Sequence, residues 1–104
     1  MKQITAEAIR KILDKDQSYV LLDVRSAEEI ARGKIAGSTH LPMDEIAGKI
    51  NSLIPDKNTK IIVYCLSGSR SFIAAEILEN LGYKNVFDMA NGLLAWRARG
   101  YSLV

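Results

Sequence analysis

Apolar and polar positions along this chain recur with two different periods, and each period marks a kind of element. Ile61, Ile62, Val63 and Tyr64 make a short unbroken apolar run rich in β-branched residues, which suits a strand buried on both faces of a parallel sheet. Beyond it Ile73, Ile77 and Leu81, with Ala74 and Leu78 beside them, repeat at helical spacing, while Glu76, Glu79 and Asn80 take the opposite side. The stretch Lys60 to Leu81 therefore predicts a strand, a tight loop and a helix in immediate succession, with Gly82 as a left-handed stop.

The same reading extends to both ends of the chain. Gln3 and Ile4 predict a brief first strand. Thr5 reads as an N-cap of a helix that ends near Lys15, on which Ile9, Ile12 and Leu13 form one stripe. Tyr19 to Val24 predicts a second strand, apolar apart from Asp23. Ser26 and Glu29 have capping-box spacing, so a short helix is expected from Ala27 to about Arg32. Ser38 to Leu41 reads as a short strand that Pro42 stops. Asp44 opens a helix with Ile46, Ile50 and Leu53 at i, i+4 and i+7. Asn85 to Phe87 is the last strand, and Gly92 leads into a helix from Leu93 to Arg99 with Leu93 and Trp96 on one face. Alternating short strands and helices predict an α/β fold: a mostly parallel sheet of about five short strands with helices on both faces.

The loop between the central strand and helix holds Cys65, Leu66, Ser67, Gly68, Ser69 and Arg70, and the helix then runs on through Ser71. A turn this compact aims successive backbone N–H groups at one point, and a helix N-terminus favours an anion in front of it. Cys65 is placed where that anion is its own thiolate, the nucleophilic form of cysteine. Gly68 allows backbone angles closed to other residues, and Arg70 adds a permanent charge with forked donors. Residue type alone favours the other reading, a small buried hydrophobe. Open α/β sheets bind ligands beyond the carboxyl ends of their strands, where Cys65 falls. The local pattern leaves both readings open.

Composition narrows the classes. The chain has 104 residues, 48% hydrophobic and 25% charged, which predicts one globular domain over residues 1–104. A net charge of +2 gives no reason to expect nucleic acid. One cysteine excludes an internal disulfide and any multi-cysteine metal site, and no cofactor is expected. The start M-K-Q-I-T-A-E-A carries no leader pattern and no apolar run reaches spanning length, so a cytoplasmic protein without a membrane association is expected.

Five segments together resemble one known family. Leu22-Asp23-Val24-Arg25 resembles its D-V-R segment, Glu29 to Ile35 its E-x-x-x-G-H-I, and Gly37 to Pro42 its G-A-x-N-I-P. Tyr64 to Ser71 resembles its Y-C-x-x-G-x-R-S loop, and Gly92-Leu93-Leu94-Ala95-Trp96 its closing G-G-x-x-x-W. The family is the single-domain rhodaneses, thiosulfate sulfurtransferases. Lys34, Ser38 and His40 stand where the family often has histidine, alanine and asparagine. Four residues separate Cys65 from Arg70, one fewer than in tyrosine phosphatases. A smaller ring of N–H groups suits one extra sulfur better than a tetrahedral phosphate.

The resemblance implies a sulfurtransferase that moves sulfane sulfur from thiosulfate or a related donor to cyanide or a thiol through a persulfide on Cys65. The N–H groups of Leu66 to Ser71 would stabilise the terminal sulfur, Ser67 and Ser69 hydroxyls would add donors, and Arg70 would hold the loop's shape and attract the anionic donor. The alternative is a sulfur-relay or protein-binding module that hands sulfur to a protein acceptor, favoured by apolar Leu66 at the mouth of the loop. A phosphatase or arsenate reductase ranks behind both. Elsewhere, Asp23 with Arg25 reads as a structural ion pair, His40 as a residue without a catalytic role and Trp96 as core. Arg97 and Arg99 read as a solvated face able to steer an anion.

Overall fold

The computed structural model describes all 104 residues. Five strands, β1 (Lys2–Ile4), β2 (Val20–Asp23), β3 (Thr39–His40), β4 (Lys60–Tyr64) and β5 (Asn85–Met89), form one sheet in the order β1-β5-β4-β2-β3. Every neighbouring pair is parallel. The apolar run of β4 is explained by its place: it is third of five, flanked by β2 and β5, so both of its faces are covered.

The helices are α1 (Ala6–Lys15), α2 (Ala27–Ile30), α3 (Ile46–Leu53), α4 (Ser69–Asn80) and α5 (Gly92–Ala98). Strand alternation sorts the core into two layers. On one side Ile61, Val63 and Cys65 meet Ile46 and Ile50 of α3 and Ala74, Ala75 and Leu78 of α4. On the other, Ile62 and Tyr64 meet Ile9 of α1 and Leu93 and Trp96 of α5. No helix is long and apolar enough to cross a membrane.

Local signals read from the sequence act as expected at several ends. Thr5 accepts a hydrogen bond from the Ala8 N–H at 3.1 Å and caps α1. Ser26 and Glu29 form the reciprocal capping box of α2, and Gly82, just past α4, has φ +98°.

Five expectations are corrected. The helix from Asp44 begins as a 3₁₀ turn, Met43–Glu45, and its stripe ends on Ile54 at 5% exposure, because Leu53 faces solvent. Helix α2 is shorter than expected and β3 covers only two of the four residues assigned to it, whereas β5 continues two residues further, to Met89. The stripe of α4 is rotated: Ala74 and Leu78 face the sheet as expected, but with Ser71 and Ala75 rather than with Ile73, which is exposed. Small residues on the inner face let α4 lie close to the sheet over the end of β4.

Candidate functional site

The centre of the sheet delivers Cys65 to the site. β4 ends at Tyr64, and the chain turns under α4 at once. The loop is gripped from behind by α5. Leu93 N–H donates to Cys65 O at 3.0 Å, and Leu94 N–H donates to Leu66 O at 3.1 Å. These are orphan donors of a helix N-terminus, satisfied here by the loop's carbonyls. Such close approach requires glycine at the start of α5, since a Cβ on Gly92 would sit 2.4 Å from Cys65 O and 2.7 Å from Leu66 O. Asn91 before it takes a left-handed φ of 60°, which asparagine tolerates.

With the carbonyls of Cys65 and Leu66 turned toward α5, two amides of the loop point at the sulfur. Gly68 N–H donates to Cys65 Sγ at 3.1 Å and Ser71 N–H at 3.4 Å, and Ser71 Oγ lies 3.5 Å from Sγ. Gly68 holds φ +102° to make this turn. The N–H groups of Leu66, Ser67, Ser69 and Arg70 donate to no other group of the protein. Two amides of the loop thus face Sγ and four more are uncommitted, with Cys65 fully buried at the base of the loop and Leu66 38% exposed at its rim.

The other predicted residues fall into place around this loop. The hydroxyls of Ser67 and Ser69 lie 3.4 Å from each other on the exposed side, so the hydroxyl at the sulfur is that of Ser71. Arg70 spends its fork on Glu29, with Nη1 to Oε1 at 2.6 Å and Nη2 to Oε2 at 2.9 Å. That bidentate pair ties the first turn of α4 to α2. It also holds the Glu29 carboxyl down at about 2, chiefly through the Arg70 hydrogen bonds.

Asp23 and Arg25 form the ion pair expected of them. Arg25 Nη2 meets Asp23 Oδ2 at 2.7 Å, both side chains are nearly or fully buried, and Arg25 also donates to Gly33 O at 2.7 Å. Tyr64, one residue before the cysteine, donates to Ser38 Oγ at 3.0 Å and accepts from Ile35 N–H at 3.2 Å. Burial pushes its phenol upward. His40 Nε2 lies 2.7 Å from Arg25 O, away from the sulfur's hydrogen-bond shell. Trp96 is fully buried and donates to Ser102 O. Arg99 pairs with Glu7, while Arg97 and Arg32 line a cleft beside Leu66.

Sequence reading passed over Asp88, which is fully buried on β5 and carries an unpartnered oxygen. The available signal was a charged residue inside the apolar strand Val86-Phe87-Asp88-Met89.

Known proteins share this architecture. A sulfurtransferase of Allochromatium vinosum is 31% identical over 104 residues, covering 100% of this chain and 95% of its own. A Bacillus subtilis protein bearing a sulfur-carrier name is 34% identical over 97 residues, and the matched region spans 93% of this chain but only 51% of that protein. The solved structure of a rhodanese-related protein from Thermoplasma volcanium superposes with a TM-score of 0.87 at 33% identity, covering 100% of this chain and 98% of that one. The family model of the rhodanese-like domain matches residues 5–99. With fold, loop and sequence in agreement, the chain belongs to the rhodanese-like domain family.

Proposed function

We propose that residues 1–104, acting as one rhodanese-like domain, transfer sulfane sulfur from thiosulfate or a related donor through a persulfide on Cys65. The observation that carries this reading is the pair of Gly68 and Ser71 amides aimed at Sγ, with the remaining loop amides uncommitted. The Cys65 thiolate attacks the outer sulfur of thiosulfate. The bond between the donor's two sulfurs breaks, its electron pair leaves with sulfite, and Cys65 carries S–S⁻. No proton has to move, because sulfite is a stable anion, so a histidine partner is not needed.

The terminal sulfur lies one bond beyond Sγ, where the amides of Leu66, Ser67, Ser69 and Arg70 receive its charge as a preorganised anion site. The N-terminal end of α4, a 12-residue helix, adds its dipole in the same sense. Cyanide or a thiolate then attacks that sulfur, the Sγ–S bond breaks, and the Cys65 thiolate returns. Arg70 acts by fixing the loop against Glu29.

A second reading, delivery of the sulfur to a protein acceptor, is favoured by exposed Leu66 and Leu94 at the rim, 38% and 54% accessible. Comparing turnover by cyanide with transfer to a purified protein thiol separates the two. The four-residue spacing from Cys65 to Arg70 disfavours a phosphatase or arsenate reductase. Intact-protein mass spectrometry after thiosulfate tests the proposal: a gain of one sulfur is expected, removed by cyanide and absent in Cys65→Ala. A wild-type protein that gains no sulfur from thiosulfate or from a small-molecule persulfide would refute it.

A further inference from the structure

Asp88 is the one buried side chain whose polar atom lacks a partner. It pairs in register with Val63 of β4 on one side and Gln3 of β1 on the other. By strand alternation it shares the face of Val63 and Cys65, beneath α4. Oδ2 accepts from Gln3 Nε2 at 3.0 Å, and Oδ1 accepts from nothing. No cation pairs with it: Arg70 is committed to Glu29, and the Met1 ammonium to Glu79.

A carboxylate with no exposure, no cation and one amide donor is costly, so burial favours the protonated form of this carboxyl. The orphaned Oδ1 then stops being an acceptor and becomes an O–H donor. Ser71 is fully buried in the first turn of α4, the helix that packs on β4 and β5 over the sheet face carrying this carboxyl and the sulfur. Its Oγ lies 3.5 Å from Cys65 Sγ and 3.2 Å from Gly68 O. Burial pushes the Asp88 carboxyl above the ordinary carboxylate value, opposed by the nearby Ser71 hydroxyl and by the Gln3 hydrogen bond.

We propose that Asp88 is a positioning residue for Cys65: as a neutral acid it donates from Oδ1 to Ser71 Oγ, leaving the Ser71 hydroxyl proton free to turn to the sulfur. When Cys65 is a thiol, its S–H points to Ser71 Oγ and the Ser71 proton rests on Gly68 O. When the sulfur becomes an anion, the Ser71 O–H rotates from Gly68 O to Sγ, and Asp88 holds the hydroxyl oxygen in place. When Cys65 ionises its thiol proton leaves to solvent, and no other bond to hydrogen in this chain of groups breaks. The sulfur gains a third donor beside the Gly68 and Ser71 amides.

This inference rests on the reading of Cys65 as a nucleophile but not on any particular sulfur donor, so its tests need no sulfur transfer. Infrared spectroscopy at neutral pH should show a protonated-carboxyl C=O band that Asp88→Asn abolishes; its absence from the wild-type protein overturns the proposal. Because Cys65 is the only cysteine, its rate of alkylation by iodoacetamide at fixed pH reports on the same sulfur. Asp88→Leu should slow it about tenfold, the worth of one hydrogen bond to a charged atom. Asp88→Asn, with Nδ2 toward Ser71 and its oxygen toward Gln3, should recover most of that loss. Equal losses in Asn and Leu variants would mean that a carboxylate acts there, and no loss in either would mean that nothing does; both results refute the inference. In a Ser71→Ala background Asp88→Leu should slow alkylation no further, and a full additional tenfold loss would show that Asp88 does not act through Ser71.

Discussion

Replacing Gly92 by alanine places a methyl group 2.4 Å from Cys65 O and 2.7 Å from Leu66 O. Both neighbours are backbone atoms, so neither can swing aside as a side-chain tip would. Relief requires α5 and the loop to separate, which breaks the Leu93 N–H to Cys65 O and Leu94 N–H to Leu66 O bonds. Two such bonds contribute about 2 kcal/mol together, and alanine at φ +51° costs about 1 kcal/mol more. The expected destabilisation is about 3 kcal/mol, a large part of the roughly 5–15 kcal/mol available to a domain. Urea unfolding should show this as a lower midpoint with an unchanged slope.

Gly100→Ala is the matched control. That glycine also has a positive φ, +79°, but nothing lies within 4 Å of its Cβ position, so it should lose only about 1 kcal/mol. The same pair separates the site from the fold. Under conditions where both proteins are folded, Gly92→Ala should form persulfide at least about tenfold more slowly, a barrier rise of about 1.4 kcal/mol, while Gly100→Ala keeps the wild-type rate. Equal losses of stability in the two variants, or wild-type persulfide formation in Gly92→Ala, would refute the idea that α5 sets the loop's shape.

Further outcomes follow from the neighbouring contacts. Asp23→Asn leaves the Arg25 guanidinium buried at 4% exposure without its countercharge, and a loss of about 3–5 kcal/mol is expected in urea unfolding. Tyr64→Phe strips the Ile35 N–H of its acceptor, which should cost about 1–3 kcal/mol, measured the same way. Glu29 is held at about 2 against an ordinary 4.5. A lowered carboxyl stabilises the fold fully above the ordinary value, and that contribution is lost as pH falls through the folded one. Arg70→Ala should therefore flatten the fall in stability between about pH 4.5 and pH 2, followed by urea midpoints across that range. Arg70→Ala should also slow persulfide formation while leaving the protein folded, because the pair is partly exposed and fixes the loop rather than the core.

Much of the fold was legible because its signals are local. The Ile61 to Tyr64 run, the Thr5 cap, the Ser26 and Glu29 box and the Cys65 to Arg70 loop each depend on residues within a few positions of one another, so periodicity and spacing reveal them. The phase of α4 was not legible. Ile73, Ile77 and Leu81 satisfy helical spacing as well as Ser71, Ala74, Ala75 and Leu78 do, and only the nearness of the sheet makes the smaller residues the inner set. The role of Arg70 was equally hidden, since its partner Glu29 is 41 positions away.

The sequence by itself determined that a strand would end just before Cys65 and that a glycine-bearing turn and a helix would follow, because backbone preferences and capping act over one or two turns of chain. Tertiary structure alone decided what surrounds that sulfur. Helix α5 holds the carbonyls of Cys65 and Leu66 while the Gly68 and Ser71 amides turn to Sγ, Glu29 takes the Arg70 charge, and strand pairing sets Asp88 beside Val63 on the sheet face under α4. Each of these depends on groups far apart in the chain meeting at a few ångströms, where hydrogen bonds and burial act on distance in space and not on separation in sequence.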